Sequence, residues 1–157
     1  MAETTTPKVN IRFLYSYCND LEATRRFYTE CLGMQEQSYA NDKEFGWINY
    51  KCDGLEYMFF RVDDQTLPMP QGFAAQPGGG GGARPVPSWS IQVPESAYEQ
   101  TIGNLQMAGF PSNQRHPLWL QDSYWGYVVM DPAGNTVEVF CSPKQRPEKT
   151  IWPGALA

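Results

Sequence analysis

The alternation of apolar and polar positions sorts the chain into two similar halves. Over 9–18, Val9, Ile11, Phe13, Tyr15 and Tyr17 recur at every second position, the period of a strand. Asn19-Asp20 ends this run and offers an N-cap. Leu21, Thr24, Phe27, Tyr28, Cys31 and Leu32 then follow helical spacing, and Gly33 stands where a left-handed C′ residue belongs. Strands are expected at 34–39, 45–51 and 55–62, with Asp53-Gly54 turning between the last two. From position 88 the order repeats. A strand is expected at 88–93, then a helix at 95–108 with Tyr98, Ile102 and Leu105 inward and Gly109 at its end. A short strand or loop in 110–121 leads to a hairpin over 122–141. Each half reads β-α-β-β-β.

The hairpin carries the clearest signals. Two apolar runs are joined by Asp131-Pro132-Ala133-Gly134-Asn135, in which proline sets φ for a turn, Gly134 supplies a positive φ and Asn135 tolerates one. Along the second run, Thr136, Glu138 and Phe140 fall on one face, and Val137, Val139 and Cys141 on the other. The aliphatic face asks for a helix over it. The face with a carboxylate between a threonine and an aromatic ring suits either the wall of a site or a solvated strand face.

Between the halves, 63–87 holds PMPQGF, five consecutive glycines at 78–82, and ARPVP. Such a run has little to bury and much entropy to lose, so it reads as a linker or flap. A phosphate cradle would need a G-K-[ST] ending between a strand and a helix, which is absent. The chain therefore divides into module one (about 9–62), the Pro/Gly-rich segment (63–87), module two (about 88–141) and a tail (142–157), all within one domain of 1–157.

Composition narrows the partners. Aromatic residues make up 14% of the chain and charged ones 18%, which favours an apolar pocket or interface. The net charge of −5 argues against nucleic acid, whose phosphates want a basic patch. No apolar run approaches the ~20 residues of a membrane span. Cys18, Cys31, Cys52 and Cys141 show no C-x-x-C spacing and no signal peptide precedes them, so they are expected as reduced, mostly buried thiols of a cytoplasmic protein.

Asp20-Leu21, Thr24, Phe27-Tyr28 and Leu32-Gly33-Met34 resemble the D-L-x-x-[ST]-x-x-F-Y-x-x-x-L-G-[MF] opening of the vicinal oxygen chelate superfamily. This group includes glyoxalases, dioxygenases and bleomycin- and fosfomycin-resistance proteins. Asp131-Pro132-Ala133-Gly134-Asn135 with Val137-Glu138-Val139 resembles its closing D-P-x-G-N-x-[IV]-E motif. The resemblance implies an α+β fold: two paired βαβββ modules whose curled mixed sheets form a cup, with helices packed outside. It also implies a cup completed by pairing modules within or between chains, and a homodimer is expected.

Metal-dependent relatives hold a divalent cation on His and Glu side chains from the first and last strands. Here the first-strand position falls on Phe13, and its counterpart in module two on Ser88 or Trp89. Glu138 matches the terminal glutamate and Glu56 its partner, but two carboxylates without imidazole make a poor transition-metal site. The sole histidine, His116, lies off both strands. What the cup would hold instead is aromatic: Phe13, Tyr15, Tyr17, Tyr57, Trp89, Trp125 and Tyr127, with Glu138 among them. Trp125-Gly126 resembles the W-G of bleomycin-resistance members. The expectation is therefore a small-molecule binder without cofactor, antibiotic-resistance-like in character, taking a planar or apolar ligand. The alternative is an enzyme, either a metal-dependent lyase or dioxygenase or an isomerase, with Glu138 as the catalytic group.

Overall fold

The computed structural model describes residues 11–63, 72–75 and 87–156. Among the described residues, two four-stranded mixed sheets, two longer helical segments and a short 3-10 turn at Pro153–Leu156 make an α+β fold of paired modules. The first sheet contains β1 (Phe13–Cys18), β2 (Glu36–Asn41), β3 (Gly46–Cys52) and β4 (Leu55–Arg61), in the order β1-β4-β3-β2. The second contains β5 (Ser88–Gln92), β6 (Leu118–Leu120), β7 (Tyr124–Met130) and β8 (Thr136–Cys141), in the order β5-β8-β7-β6. In both, the first strand runs parallel to the last and the remaining pairs are antiparallel. The repeat seen along the sequence is thus a repeat of topology.

Boundaries moved in places. The first strand begins at Phe13, and Val9 lies outside the described residues. β2 starts two residues later than the apolar pattern suggests. Most of the Pro/Gly-rich segment, including its glycine run, also lies outside the described residues.

The helix between β1 and β2 opens as α1 (Leu21–Arg25), where the Asp20 carboxylate accepts from the Ala23 N–H at 2.9 Å. It continues as a π-helical stretch, Arg26–Cys31, which the apolar spacing did not distinguish from α-helix. Its six expected inward residues are nevertheless all buried. The second helix, α2 (Glu95–Met107), buries Tyr98, Ile102 and Leu105 as its pattern requires. No helix among the described residues is long and apolar enough to cross a membrane.

One hydrophobic core joins the modules. Tyr28, from the π-helical stretch, packs on Phe59 of β4 (4.7 Å between centroids) and stacks at 6.4 Å on Trp89 of β5. Phe27 meets Phe110 edge-on at 4.8 Å, and the Cys31 thiol reaches the Asn104 carbonyl. The helices and the inner faces of both sheets, aromatic as well as aliphatic, thus share the interior. The other face of each sheet turns away from this core.

Candidate functional site

Strand pairing decides which side chains share those outer faces. On the first sheet, β1 and β4 align Phe13 with Glu56, Tyr15 with Met58 and Tyr17 with Phe60, and β3 adds Trp47, Asn49 and Lys51. Phe13, Tyr15 and Tyr17 are 49%, 58% and 47% exposed. Their rings form a row, with Tyr15 at 6.3 Å from Phe13, 6.1 Å from Tyr17 and 6.2 Å from Phe60. A recess of about 460 Å³ beside the row is lined by Phe45, Trp47, Met58 and Phe60. Sequence reasoning missed Trp47, although its alternation with Asn49 and Lys51 was there to read.

Glu56 lies at one end of this face. Asn49 donates to it at 2.9 Å and Arg12 at 3.2 Å. The Asn49 bond is the main cause holding its carboxyl below the usual range, with Arg12 adding to it.

On the second sheet, the outer face carries Thr136, Glu138 and Phe140 of β8, with Ser90 beside Glu138 on β5 and Val128 beside it on β7. Glu138 is only 2% exposed. Both its oxygens are held by hydroxyls: Ser90 donates to one at 2.6 Å and Tyr124 to the other at 3.1 Å. Burial, then the charge and hydrogen bond of Glu138, push the Tyr124 phenol up to about 12. No ion pair among the described residues reaches Glu138. Gly126 makes room for this seat, because a Cβ there would stand 3.2 Å from Glu138 Oε1 and 2.8 Å from Leu120 Cδ1. The W-G pair therefore has a packing reason. Above Thr136, the Ala74 N–H donates to its hydroxyl at 2.9 Å, so part of the inter-module segment lies on the Glu138 face.

Four of the expected aromatic wall residues lie elsewhere. Trp125 pairs with Cys141 and Tyr127 with Val139, which turns both toward the core and away from Glu138. Trp125 packs edge-on against Trp119 and Trp152 at 5.2 Å each. Trp89 pairs with Val137 and Tyr57 with Leu14, again on the inner faces, and these two rings meet at 4.9 Å. The residue beside Glu138 on the first strand of module two is Ser90, neither Ser88 nor Trp89.

The donor set for a metal is thin. Glu56 has Phe13 beside it, Glu138 has Ser90, and His116 lies before β6. Among the described residues, no three His, Cys, Asp or Glu side chains are grouped to hold one ion.

The closing motif does structural work. Asp131 is buried; its Oδ1 accepts from the backbone N–H groups of Ala133 (2.9 Å) and Asn135 (2.8 Å), and its Oδ2 from the Asn135 amide at 2.9 Å. Gly134 adopts φ +83° in this turn.

A family model described as the Glyoxalase/Bleomycin resistance protein/Dioxygenase superfamily matches residues 11–139. A search of curated protein sequences finds no match. Among solved structures, a glyoxylase/bleomycin resistance protein/dioxygenase domain from Frankia sp. EAN1pec superposes with TM-score 0.62 at 16% identity, covering 87% of this chain and 100% of that one. A lactoylglutathione lyase from Agrobacterium tumefaciens gives 0.53 at 19% identity, over 87% and 96%. The fosfomycin resistance protein of Listeria monocytogenes, complexed with manganese(II) and sulfate, gives 0.58 at 11% identity, over 92% and 100%. At these identities the structures speak for the fold, while the family match spans both modules and both motifs. The chain belongs to the glyoxalase/bleomycin resistance protein/dioxygenase superfamily.

Proposed function

We propose that this protein binds a planar or apolar small molecule, without a resident transition metal, in a cup completed by a second copy of the chain. The observation that carries the reading is the row Phe13, Tyr15 and Tyr17, about half exposed on a sheet face that also holds Met58 and Phe60. An apolar patch of this kind in water marks an interaction surface. The Glu138 face is its natural complement, since it brings a buried carboxylate without a cationic partner among the described residues. In a homodimer the aromatic row of one copy would oppose Glu138 of the other. A ligand held between rings, with a cationic or hydrogen-bond-donating group on Glu138, would satisfy both surfaces. The net charge of −5 favours such a ligand over an anion.

The donor set supports the metal-free reading. Imidazole and thiolate suit zinc, nickel and iron, whereas Glu56 stands among the Asn49 amide, the Arg12 guanidinium and rings, and Glu138 among hydroxyls. Protein purified without chelator should carry well under one equivalent of metal. Stoichiometric zinc, nickel, manganese or iron, lost on chelation together with an activity, overturns this part. Free thiols at all four cysteines support a reducing compartment, and we place the protein in the cytoplasm.

One observation favours a second reading. Ser90 is exposed yet donates to the buried Glu138, linking the carboxylate to the surface through a single hydroxyl. That arrangement suits proton transfer, as in a metal-free isomerase with Glu138 as general base.

Light scattering at micromolar concentration tests the assembly. The mass of two chains is expected, and Tyr15→Glu should shift it toward one. Planar cationic aromatics should quench Trp47, which lies on the exposed face. A monomeric wild type that no such compound quenches refutes the shared cup.

A further inference from the structure

A cavity lies where the edges of the two sheets meet. β1 and β5 are both edge strands, and where they approach, a half-open cavity of about 440 Å³ is left between the modules. Leu14, Leu55 and Tyr57, on the inner face of the first sheet, form one wall. Trp89 and Ile91, on the inner face of β5, form the other. Asp53, Ser90 and Gln92 line it as well, and Asp53 and Gln92 are exposed. Asp53 is in no ion pair among the described residues.

We propose that this junction cavity is a second ligand site, for a flat hydrophobic molecule of one or two fused rings carrying an amine or hydroxyl donor. The volume lies in the range of small-molecule sites, which combine apolar walls with a few polar groups. The perpendicular Tyr57–Trp89 pair offers ring surface with little rotamer entropy to lose. Leu14 and Ile91 supply aliphatic area from the two edge strands. The ligand's polarity follows from the other lining groups. Asp53 accepts hydrogen bonds and repels carboxylates, and the Gln92 amide, without a side-chain hydrogen bond among the described residues, can pair a donor. Asp53 also sits at φ +38° in the β3–β4 turn, a backbone conformation that non-glycine residues seldom adopt. The aromatic row is separate from this cavity, because Tyr15 and Leu14 point to opposite faces of β1, while Ser90 borders both the cavity and the Glu138 seat.

Three probes of equal ring size test it: 2-naphthylmethylamine, 2-naphthol and 2-naphthoate, titrated by fluorescence. Saturable binding of the amine and the naphthol is expected, with naphthoate at least fivefold weaker. Asp53→Asn should narrow that gap. In a Tyr15→Ala background, which removes the contribution of the aromatic row, Leu14→Trp, which fills the cavity from a half-exposed position, should weaken the remaining binding tenfold or more. A second readout needs no variant. Cys52 lines the cavity and is the one cysteine that is not buried, so 2-naphthylmethylamine should slow its alkylation by N-ethylmaleimide. Absence of saturable binding overturns the proposal. So does binding that survives Leu14→Trp in the Tyr15→Ala background, or that leaves Cys52 as reactive as before. Failure of the cup alone would show instead as a monomer that still binds the amine at the junction.

Discussion

The Tyr28 hydroxyl donates to Asp131 at 2.8 Å across 103 positions of sequence, joining the opening motif of the first module to the closing motif of the second. Both groups are buried, and Tyr28 also touches Phe59 and Trp89 from the two sheets. The motifs by which the family is recognised therefore meet in the core and hold the modules together.

Tyr28→Phe keeps the ring and removes this bond. Asp131 retains the donors of Ala133 and Asn135, so the loss is limited to one charge-assisted or neutral bond, about 1–3 kcal/mol. Urea denaturation should show a lower midpoint with an unchanged m-value. An unaltered midpoint would mean that the bond contributes nothing net.

Acid should act on two carboxylates with opposite sign. The bonds from Arg25, and then Thr29, hold the Glu36 carboxyl below its ordinary value of 4.5 against the effect of burial. A folded value below the unfolded one gives stability that is present above about pH 4.5 and lost as pH falls through the folded value. Asp131 is the reverse: burial outweighs its hydrogen bonds and raises its carboxyl above 3.8. Its contribution is complete below about pH 3.8 and lost as pH rises through the folded value. Glu36→Gln should therefore lower Tm at pH 7 and by less at pH 3.5. Carbon-detected NMR should place the Asp131 midpoint above 3.8.

Trp125→Ala is expected to cost stability, about 3–5 kcal/mol, because its ring is wedged between Trp119 and Trp152 in the core. Tyr15→Ala should scarcely change the stability of the single chain, yet weaken both dimer and ligand. Matching losses of stability in the two variants would contradict the division of faces described above.

That division marks how far the sequence could be read. Alternation within β8 separated Thr136, Glu138 and Phe140 from Val137, Val139 and Cys141, since period two is a property of one strand. Which face Trp125 joined depended on pairing across the turn. Reflecting positions about Ala133 sets Val128 against Glu138 and Trp125 against Cys141, so the register was available from the turn length. Tyr57 follows Glu56 directly and had to face the other way. The pairing of Phe13 with Glu56 was harder to find, because β1 and β4 are parallel and joined by a long crossover with no turn to fix the register. The Ser90 and Tyr124 bonds to Glu138 likewise come from three separate strands.

Glu138→Gln separates binding from catalysis. The change keeps the shape of the side chain but removes its charge, and one oxygen becomes an NH₂ group. Facing Ser90 or Tyr124, that group requires the hydroxyl to turn and accept, which both can do, so the fold should survive. For a passive binder of a cationic aromatic, affinity should fall, and more at low salt, where charge attraction is least screened. For an isomerase, binding should persist while turnover disappears. Gly126→Ala provides the steric control, since its Cβ presses on Leu120, Tyr124 and Glu138 without touching the charge. It should cost about 1–3 kcal/mol of stability and disturb the site through position alone. If Gly126→Ala weakens a ligand and Glu138→Gln does not, at any salt concentration, then the carboxylate is only packed there and the rings of the first module do the binding without it.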